Sequence, residues 1–165
     1  MLMLRERLAV PQPAVDELQL GYDLRVKHRF CASLATGEEA GVSLERGPPL
    51  RDGDCLRGDD GRIVRVVAAV EDLLEVRADD LCTLARIAYH LGNRHTRVQV
   101  GAGWLRFVDD KVQAAMVEGL GARPLAIRAP FEPEPGAYAG THTHAPGTTD
   151  APRGVIHDMI ERQRR

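Results

Sequence analysis

The stretch that decides the fold is "LLEVRADDLCTLARIAYHLGNRH", residues 73–95. It starts with a strand pattern, in which Leu74 and Val76 alternate with charged residues. A helix pattern follows, with a cap at Asp79 or Asp80. The apolar positions of that helix, spaced by the 3.6-residue period, are Leu81, Leu84, Ala85, Ala88 and Leu91. The stretch therefore predicts a half-buried strand followed by an amphipathic helix.

The residues downstream repeat this alternation of strand and helix. The first helix is expected to end at Gly92 and Asn93, because both residues readily adopt the left-handed conformation. The further predicted elements are strands at 96–100 and 104–108 joined by a turn at 101–103, a helix from Asp109 or Asp110 with apolar Val112, Ala115 and Met116 that stops at Gly119 or Gly121, and a strand at 122–129. The resulting order, β-α-β-β-α-β, is that of a ferredoxin-like domain.

Residues upstream of this unit have a strand-and-turn pattern. Two strand-like runs within residues 23–44 flank a turn at Thr36-Gly37, and "RIVRVV" (62–67) is a β-branched run. Helix-length periodicity is absent from the sequence before residue 79. We therefore predict a two-domain α+β chain, with an N-terminal all-β domain over residues 1–70 and a ferredoxin-like domain over residues 71–130.

Residues 131–165 have a different composition. Five of the ten prolines lie between residues 130 and 152, which predicts a flexible C-terminal tail. The tail carries "THTH" (141–144), and its end is compatible with a short terminal helix capped by Asp150.

Composition and charge exclude several classes of function. The net charge of −2 and the pI near 6.3 do not favour nucleic acid, and "WLRFV" (104–108) lacks the motif of RNA-recognition modules. No apolar run approaches the roughly 20 residues of a membrane helix. The three cysteines form no CxxC pair, so a thiolate zinc site is not indicated. A cytoplasmic protein without nucleic-acid or membrane partners is expected.

Two histidines five residues apart, His90 and His95, raise the question of a metal site. Five helical steps would separate them by about 140°, so they are not a ligand pair on one helix. His90 is expected to be structural, in the last helical turn. His95 follows the predicted turn at a strand entrance, where it is either an inert surface residue, a metal ligand or a general base. One histidine cannot hold a metal ion by itself.

The tail offers further histidines. His142 and His144 project to the same side of an extended chain, so they are either a metal-capture element or a chance pair. His28 is expected to be structural, and His157 is a weaker candidate. The sequence lacks the motifs of serine hydrolases, zincins and P-loop proteins, so an enzyme is not indicated.

With these residues identified, the sequence resembles the UreE family of urease accessory proteins, the nickel metallochaperones. "AYHLGNRH" (88–95) resembles the central signature of that family. Residues 27–56 resemble its N-terminal β domain, and residues 130–144 resemble its histidine-bearing tail.

The resemblance implies a specific function and site. It implies a homodimer that carries Ni(II) as cargo on its two-fold axis and catalyses no reaction. The partners implied are the urease accessory GTPase and the urease apoprotein complex, to which the nickel is delivered for assembly of the urease metallocentre. His95 is then a metal ligand from each subunit, His142 and His144 are tail ligands, and Gly92, Asn93 and Arg94 set the turn. The N-terminal domain, likened to chaperone peptide-binding domains, would dock proteins.

One departure and two alternatives accompany this interpretation. Many family members carry a histidine where this chain has Lys111, and a protonated lysine is a poor ligand. The accessory metal site of those relatives is therefore in doubt here. The alternative function is a general buffer or sensor for zinc, copper or nickel without a urease partner, since imidazole also binds Cu(II) and Zn(II) in vitro. A third hypothesis is a small enzyme with His95 as general base.

Overall fold

The computed structural model describes residues 1–135, and within them the chain forms two β-sheets that follow one another in sequence. The first has six strands in the order β2-β6-β5-β1-β4-β3. Its elements are β1 (Leu2–Arg7), β2 (Asp16–Leu20), the helical turn α1 (Tyr22–Arg25), β3 (Arg29–Ser33), β4 (Glu39–Ser43), β5 (Cys55–Gly58) and β6 (Ile63–Ala68). Two neighbouring pairs, β1 with β4 and β2 with β6, are parallel.

The core of the first sheet follows the two-residue period of its strands. The buried residues include Leu2, Leu4, Leu18, Leu20, Val42, Leu56, Val64 and Val66. The predicted turn at Thr36-Gly37 joins the antiparallel strands β3 and β4, and Gly37 has a φ of +88°. Glycine adopts that conformation without steric cost, so the turn prediction is confirmed.

The helical turn α1 departs from the predicted all-β character of this part. Its backbone is closed by hydrogen bonds from the Arg25 amide to the Gly21 carbonyl and from the Val26 amide to the Tyr22 carbonyl, both 3.1 Å. One turn is too short to produce a periodic pattern in the sequence. Its position depends instead on the burial of Arg25, which is only 1% exposed.

The second sheet is antiparallel and has the order β10-β7-β9-β8. Its elements are β7 (Val70–Arg77), α2 (Leu81–Gly92), β8 (Gln99–Gly101), β9 (Trp104–Val108), α3 (Lys111–Gly119) and β10 (Pro124–Pro130). Both helices pack on one face of the sheet, where the buried residues are Leu74, Val76, Leu84, Ile87, Leu91, Leu105, Phe107 and Val117. The described part thus consists of two sheet-rich regions of mixed α/β content.

Several details of the elements predicted for the second region are wrong. Leu81 and Val112 are each 75% exposed, whereas Ile87 and Val117 are fully buried. The strand predicted at residues 96–100 is shorter and later, because β8 covers only Gln99–Gly101.

The two sheets meet at a small apolar cluster with a polar centre. Tyr22, Leu73 and Phe131 are its buried members, and the rings of Tyr22 and Phe131 lie edge to face with centroids 5.7 Å apart. The Arg25 guanidinium donates to the Phe131 carbonyl and to the carboxylate of Glu132. This arginine therefore connects α1 to the segment that follows β10.

Candidate metal site

His95 is the residue at which the chain turns away from α2. Its φ of +56° is the only positive value at a non-glycine position in residues 1–135. The His95 amide donates to the Gly92 carbonyl at 2.9 Å, and the Thr96 amide donates to the Leu91 carbonyl at 3.1 Å. These two bonds form a Schellman motif, in which the left-handed residue is usually glycine. Here that position is occupied by a histidine whose side chain is exposed.

The predicted turn residues have other roles than expected. Gly92 is the last residue of α2, and the cap Asn93 has a right-handed φ of −62°. The expectation that these two residues supply the left-handed conformation is therefore wrong. A non-glycine residue in this region costs about 1 kcal/mol relative to glycine, although histidine tolerates it better than most residues. The backbone at His95 is thus held in an unfavourable conformation by the hydrogen bonds on either side.

The helix that carries this turn is firmly anchored. Leu84, Ile87 and Leu91 are buried against the sheet. At the other end the Asp80 carboxylate accepts from the amides of Cys82 and Thr83, each at 3.0 Å. The hydrogen bond from the Cys82 amide and those from Thr83 hold the pKa of Asp80 below its usual value. His95 consequently projects from a rigid base.

The other histidines do not join His95 within the described residues. His90 is half-buried in the last turn of α2, with its ring 5.4 Å from that of Tyr89, and His28 lies in the first region. Residues 1–135 contain no group of three or more His, Cys, Asp or Glu side chains that could hold a metal ion. His142, His144 and His157 lie outside the described residues.

A contact that sequence reasoning missed connects the end of the described chain to the loop after His95. The Glu134 amide donates to the Val98 carbonyl at 2.9 Å, and the Glu132 amide donates to the Gln99 side chain at 3.2 Å. Residues 132–134 therefore lie beside the α2–β8 connection. Local patterns contain no signal for such a contact, because its partners are more than 30 residues apart in sequence.

The outer face of the two helices carries exposed apolar side chains. Leu81, Ala85 and Tyr89 recur every four residues along α2 and are all exposed, with Tyr89 at 65%. Val112 is similarly exposed on α3 beside Lys111, whose side chain is also exposed. Residues four apart share one face of a helix, so α2 has a second apolar stripe that the sheet does not cover. Among residues 1–135 no helix is long and apolar enough to cross a membrane.

Comparisons with known proteins match nearly all of the described residues. The model of the UreE urease accessory protein N-terminal domain matches residues 4–69, and that of the C-terminal domain matches residues 71–164. A urease accessory protein UreE of Pseudomonas fluorescens strain Pf0-1 is 52% identical over 147 residues, which cover 88% of each chain. One from Alkalilimnicola ehrlichii is 52% identical over 85% of this chain and 86% of its own, and one from Burkholderia thailandensis is 55% identical over 81% and 63%.

Proposed function

This chain belongs to the UreE family of urease accessory proteins, and from that membership we propose that it is a nickel-binding metallochaperone for assembly of the urease metallocentre. The observation that carries the proposal is His95, an exposed imidazole held in a left-handed turn at the end of a buried helix. Nickel is cargo in this proposal, and the chain catalyses no reaction. It acts in the cytoplasm.

The proposed ligand set combines His95 from two subunits with His142 and His144 of the tail. Imidazole nitrogen suits Ni(II), and also Cu(II) and Zn(II). The hydrogen bond between Glu134 and Val98 supports the participation of the tail. From Glu134 the chain to His142 extends at most about 28 Å, and His95 is within about 10 Å of Val98 along the backbone. The tail histidines are therefore within reach of His95, while Gly92, Asn93 and Arg94 form the turn that supports it.

A homodimer supplies the second copy of His95. In a two-fold contact each residue occurs twice, so one exposed histidine near the axis provides two ligands. The uncovered apolar stripe of Leu81, Ala85 and Tyr89 supports an interface next to the end of α2. Exposed apolar surface of this kind is typical of protein interaction sites.

A charged side chain introduced into that apolar stripe is expected to dissociate the proposed dimer into monomers. Tyr89→Asp buries a carboxylate in the proposed interface, so light scattering should detect a dimer for the unchanged chain and mostly monomer for the variant. Tight nickel binding should be lost with the dimer. Val15→Asp changes an apolar residue that is 70% exposed in the first region and should leave both properties intact. If Tyr89→Asp remains dimeric and binds nickel normally, the interface lies elsewhere.

The finer architecture is part of the same proposal. We infer a boundary near residue 70 between a docking domain (1–70) and a metal-binding domain (71–130), followed by the tail (131–165). The two family models support the boundary near residue 70, because one ends at residue 69 and the other begins at residue 71. The order β-α-β-β-α-β and the antiparallel sheet order β10-β7-β9-β8 support a ferredoxin-like fold for the second domain.

Nickel titration by calorimetry tests the stoichiometry of the site. The full chain should bind about one nickel tightly per dimer and further nickel weakly, because the axis is shared and the tails are not. A chain truncated after Gly140 lacks His142 and His144 and should lose the weaker binding while the dimer persists. Tight binding of one nickel per monomer would contradict a site on the two-fold axis.

A nickel-dependent complex with the urease accessory GTPase and the urease apoprotein separates this function from that of a general metal buffer. The proposal predicts that nickel promotes the contact with these partners and is transferred to them, and that zinc or copper added in place of nickel does not promote it. A chain that binds all three metals without forming this contact is a buffer or sensor.

A further inference from the structure

A cleft in the first region carries a charge pattern that metal binding does not use. It has a volume of about 370 Å³ and lies between β1, the residues after α1 and the β4–β5 connection. The charged residues of its lining include Arg5, Arg7, Lys27, Glu6 and Glu45. A second depression shares His28, Leu44 and Glu45 with it and adds Arg29 and Arg46. The two form one continuous surface, here called the basic cleft.

Most arginines elsewhere in residues 1–135 are neutralised by a carboxylate. Arg62 pairs with Glu38 at 2.7 Å, Arg106 with Glu75 at 2.8 Å, and Arg57 with Glu6 at 2.9 Å. In the basic cleft, by contrast, four exposed cations have no carboxylate within ion-pair distance among the described residues. They are Arg5, Lys27, Arg29 and Arg46.

The carboxylates near the cleft do not cancel this charge. Glu6 forms an ion pair with Arg57, and Arg7 forms one with Asp54 at 2.7 Å. Glu45 is the remaining exposed acid of the lining. The cleft therefore has an excess of positive charge, although the chain as a whole has a net charge of −2.

The shape and lining of the basic cleft favour a peptide over a nucleic acid. Leu44 and Pro48 contribute apolar surface to it, and neither depression is lined by Phe, Tyr or Trp, so the stacking platform typical of nucleic-acid sites is reduced to the single imidazole of His28. The carboxylate of Glu45 repels a uniformly anionic polymer, whereas a peptide can direct an apolar or basic residue towards it.

We propose that the basic cleft binds an acidic segment of a partner protein, one in which carboxylates alternate with apolar side chains. The carboxylates pair with Arg5, Lys27, Arg29 and Arg46, and the apolar side chains contact Leu44 and Pro48. Electrostatic complementarity of this kind determines which partner is selected and speeds association. The inference deepens the proposed function, on which it rests only for the biological role of the partner, because the cleft contains none of the proposed metal ligands.

Fluorescence anisotropy with a labelled peptide of Asp-Leu-Glu repeats tests this assignment on the full chain without metal. The unchanged chain should bind the peptide, and added salt should weaken binding. The double variant Lys27→Glu/Arg46→Glu should weaken it by at least about tenfold, since two attractive contacts become repulsive. The matched control Arg86→Glu/Arg123→Glu, which reverses two exposed cations of the second region, should leave the affinity unchanged.

Three outcomes would overturn the proposal. They are the absence of peptide binding to the unchanged chain, an equal loss in the control variant, and a single-stranded oligonucleotide that binds as tightly and responds to the same substitutions. Backbone amide shifts on titration with the peptide should be confined to the basic cleft, which remains informative if a variant folds poorly. Unaltered nickel binding by Lys27→Glu/Arg46→Glu would separate this result from the fate of the metal site.

Discussion

Replacing His95 with glycine is expected to abolish tight nickel binding and to raise thermal stability at the same time. The imidazole is the proposed ligand from each subunit, so its removal eliminates two ligands of one site. The backbone at this position has a φ of +56°, which glycine adopts without strain. The expected gain is about 1 kcal/mol, and this raises the melting temperature by about 3 °C in a chain of this length.

A series of substitutions at His95 separates the two effects. His95→Ala should lose nickel without gaining stability, because alanine keeps a Cβ in the left-handed region. His95→Asn should also lose nickel but remain at least as stable as the unchanged chain, since asparagine adopts this conformation readily. His90→Ala removes a nearby imidazole and should retain tight binding. Nickel affinity that survives in the alanine variant would refute the ligand assignment, and a glycine variant no more stable than the alanine variant would refute the strain.

Periodicity identified α2 and part of the face that it buries, because Leu84, Ala88 and Leu91 lie in the core, but it also assigned the exposed Leu81 and Ala85 to that face. Leu81, Ala85 and Ala88 fit the 3.6-residue period as well as Leu84 and Leu91 do, because the helix is apolar on more than one side. The sheet covers the side with Ile87, and the stripe with Leu81 stays exposed. A single-chain pattern cannot distinguish the face that packs on its own sheet from a face available to a second chain.

The assignment of His95 as a metal ligand stays a prediction, but the conformation of its backbone is one that the sequence did not predict. The sequence singled out His95, yet Gly92 and Asn93 are better left-handed residues and were assigned that role. In the structure the left-handed residue is His95, because the hydrogen bonds donated by the His95 and Thr96 amides fix its backbone in that conformation.

Long-range polar contacts were beyond prediction for a different reason. Arg25 and Glu132 are 107 positions apart, and neither local pattern indicates the other. The basic cleft could not be predicted from the sequence for the same reason. A cation can be identified as unpaired only when the structure shows which carboxylates pair with the other arginines. Charge composition alone gives a nearly neutral chain.

Replacing the buried Arg25 with methionine is expected to lower the free energy of unfolding by about 3 kcal/mol, because the partners of the guanidinium lose their donor. Those partners are the carbonyls of Leu20 at 3.2 Å and Leu50 at 3.3 Å, the Phe131 carbonyl and the Glu132 carboxylate. Methionine replaces the aliphatic part of the arginine side chain but not the guanidinium group, so the loss of its hydrogen bonds dominates the cost and the void left by the group adds to it.

Denaturant titration followed by two probes measures this effect and its consequence for the coupling of the two regions. Trp104, the single tryptophan, reports on the second sheet, whereas far-ultraviolet circular dichroism reports on both. The two transitions should coincide in the unchanged chain and separate in Arg25→Met, since Arg25 connects α1 to the segment after β10.

Arg51→Met is the matched control: Arg51 also binds Glu132, at 3.1 Å, but its side chain is 44% exposed. An exposed pair contributes less than about 1 kcal/mol, so the control should unfold nearly as the unchanged chain does. Equal effects of the two substitutions would mean that Arg25 does not couple the regions, whereas a large loss confined to Arg25→Met makes this buried arginine the link through which the first region stabilises the residues leading to the tail.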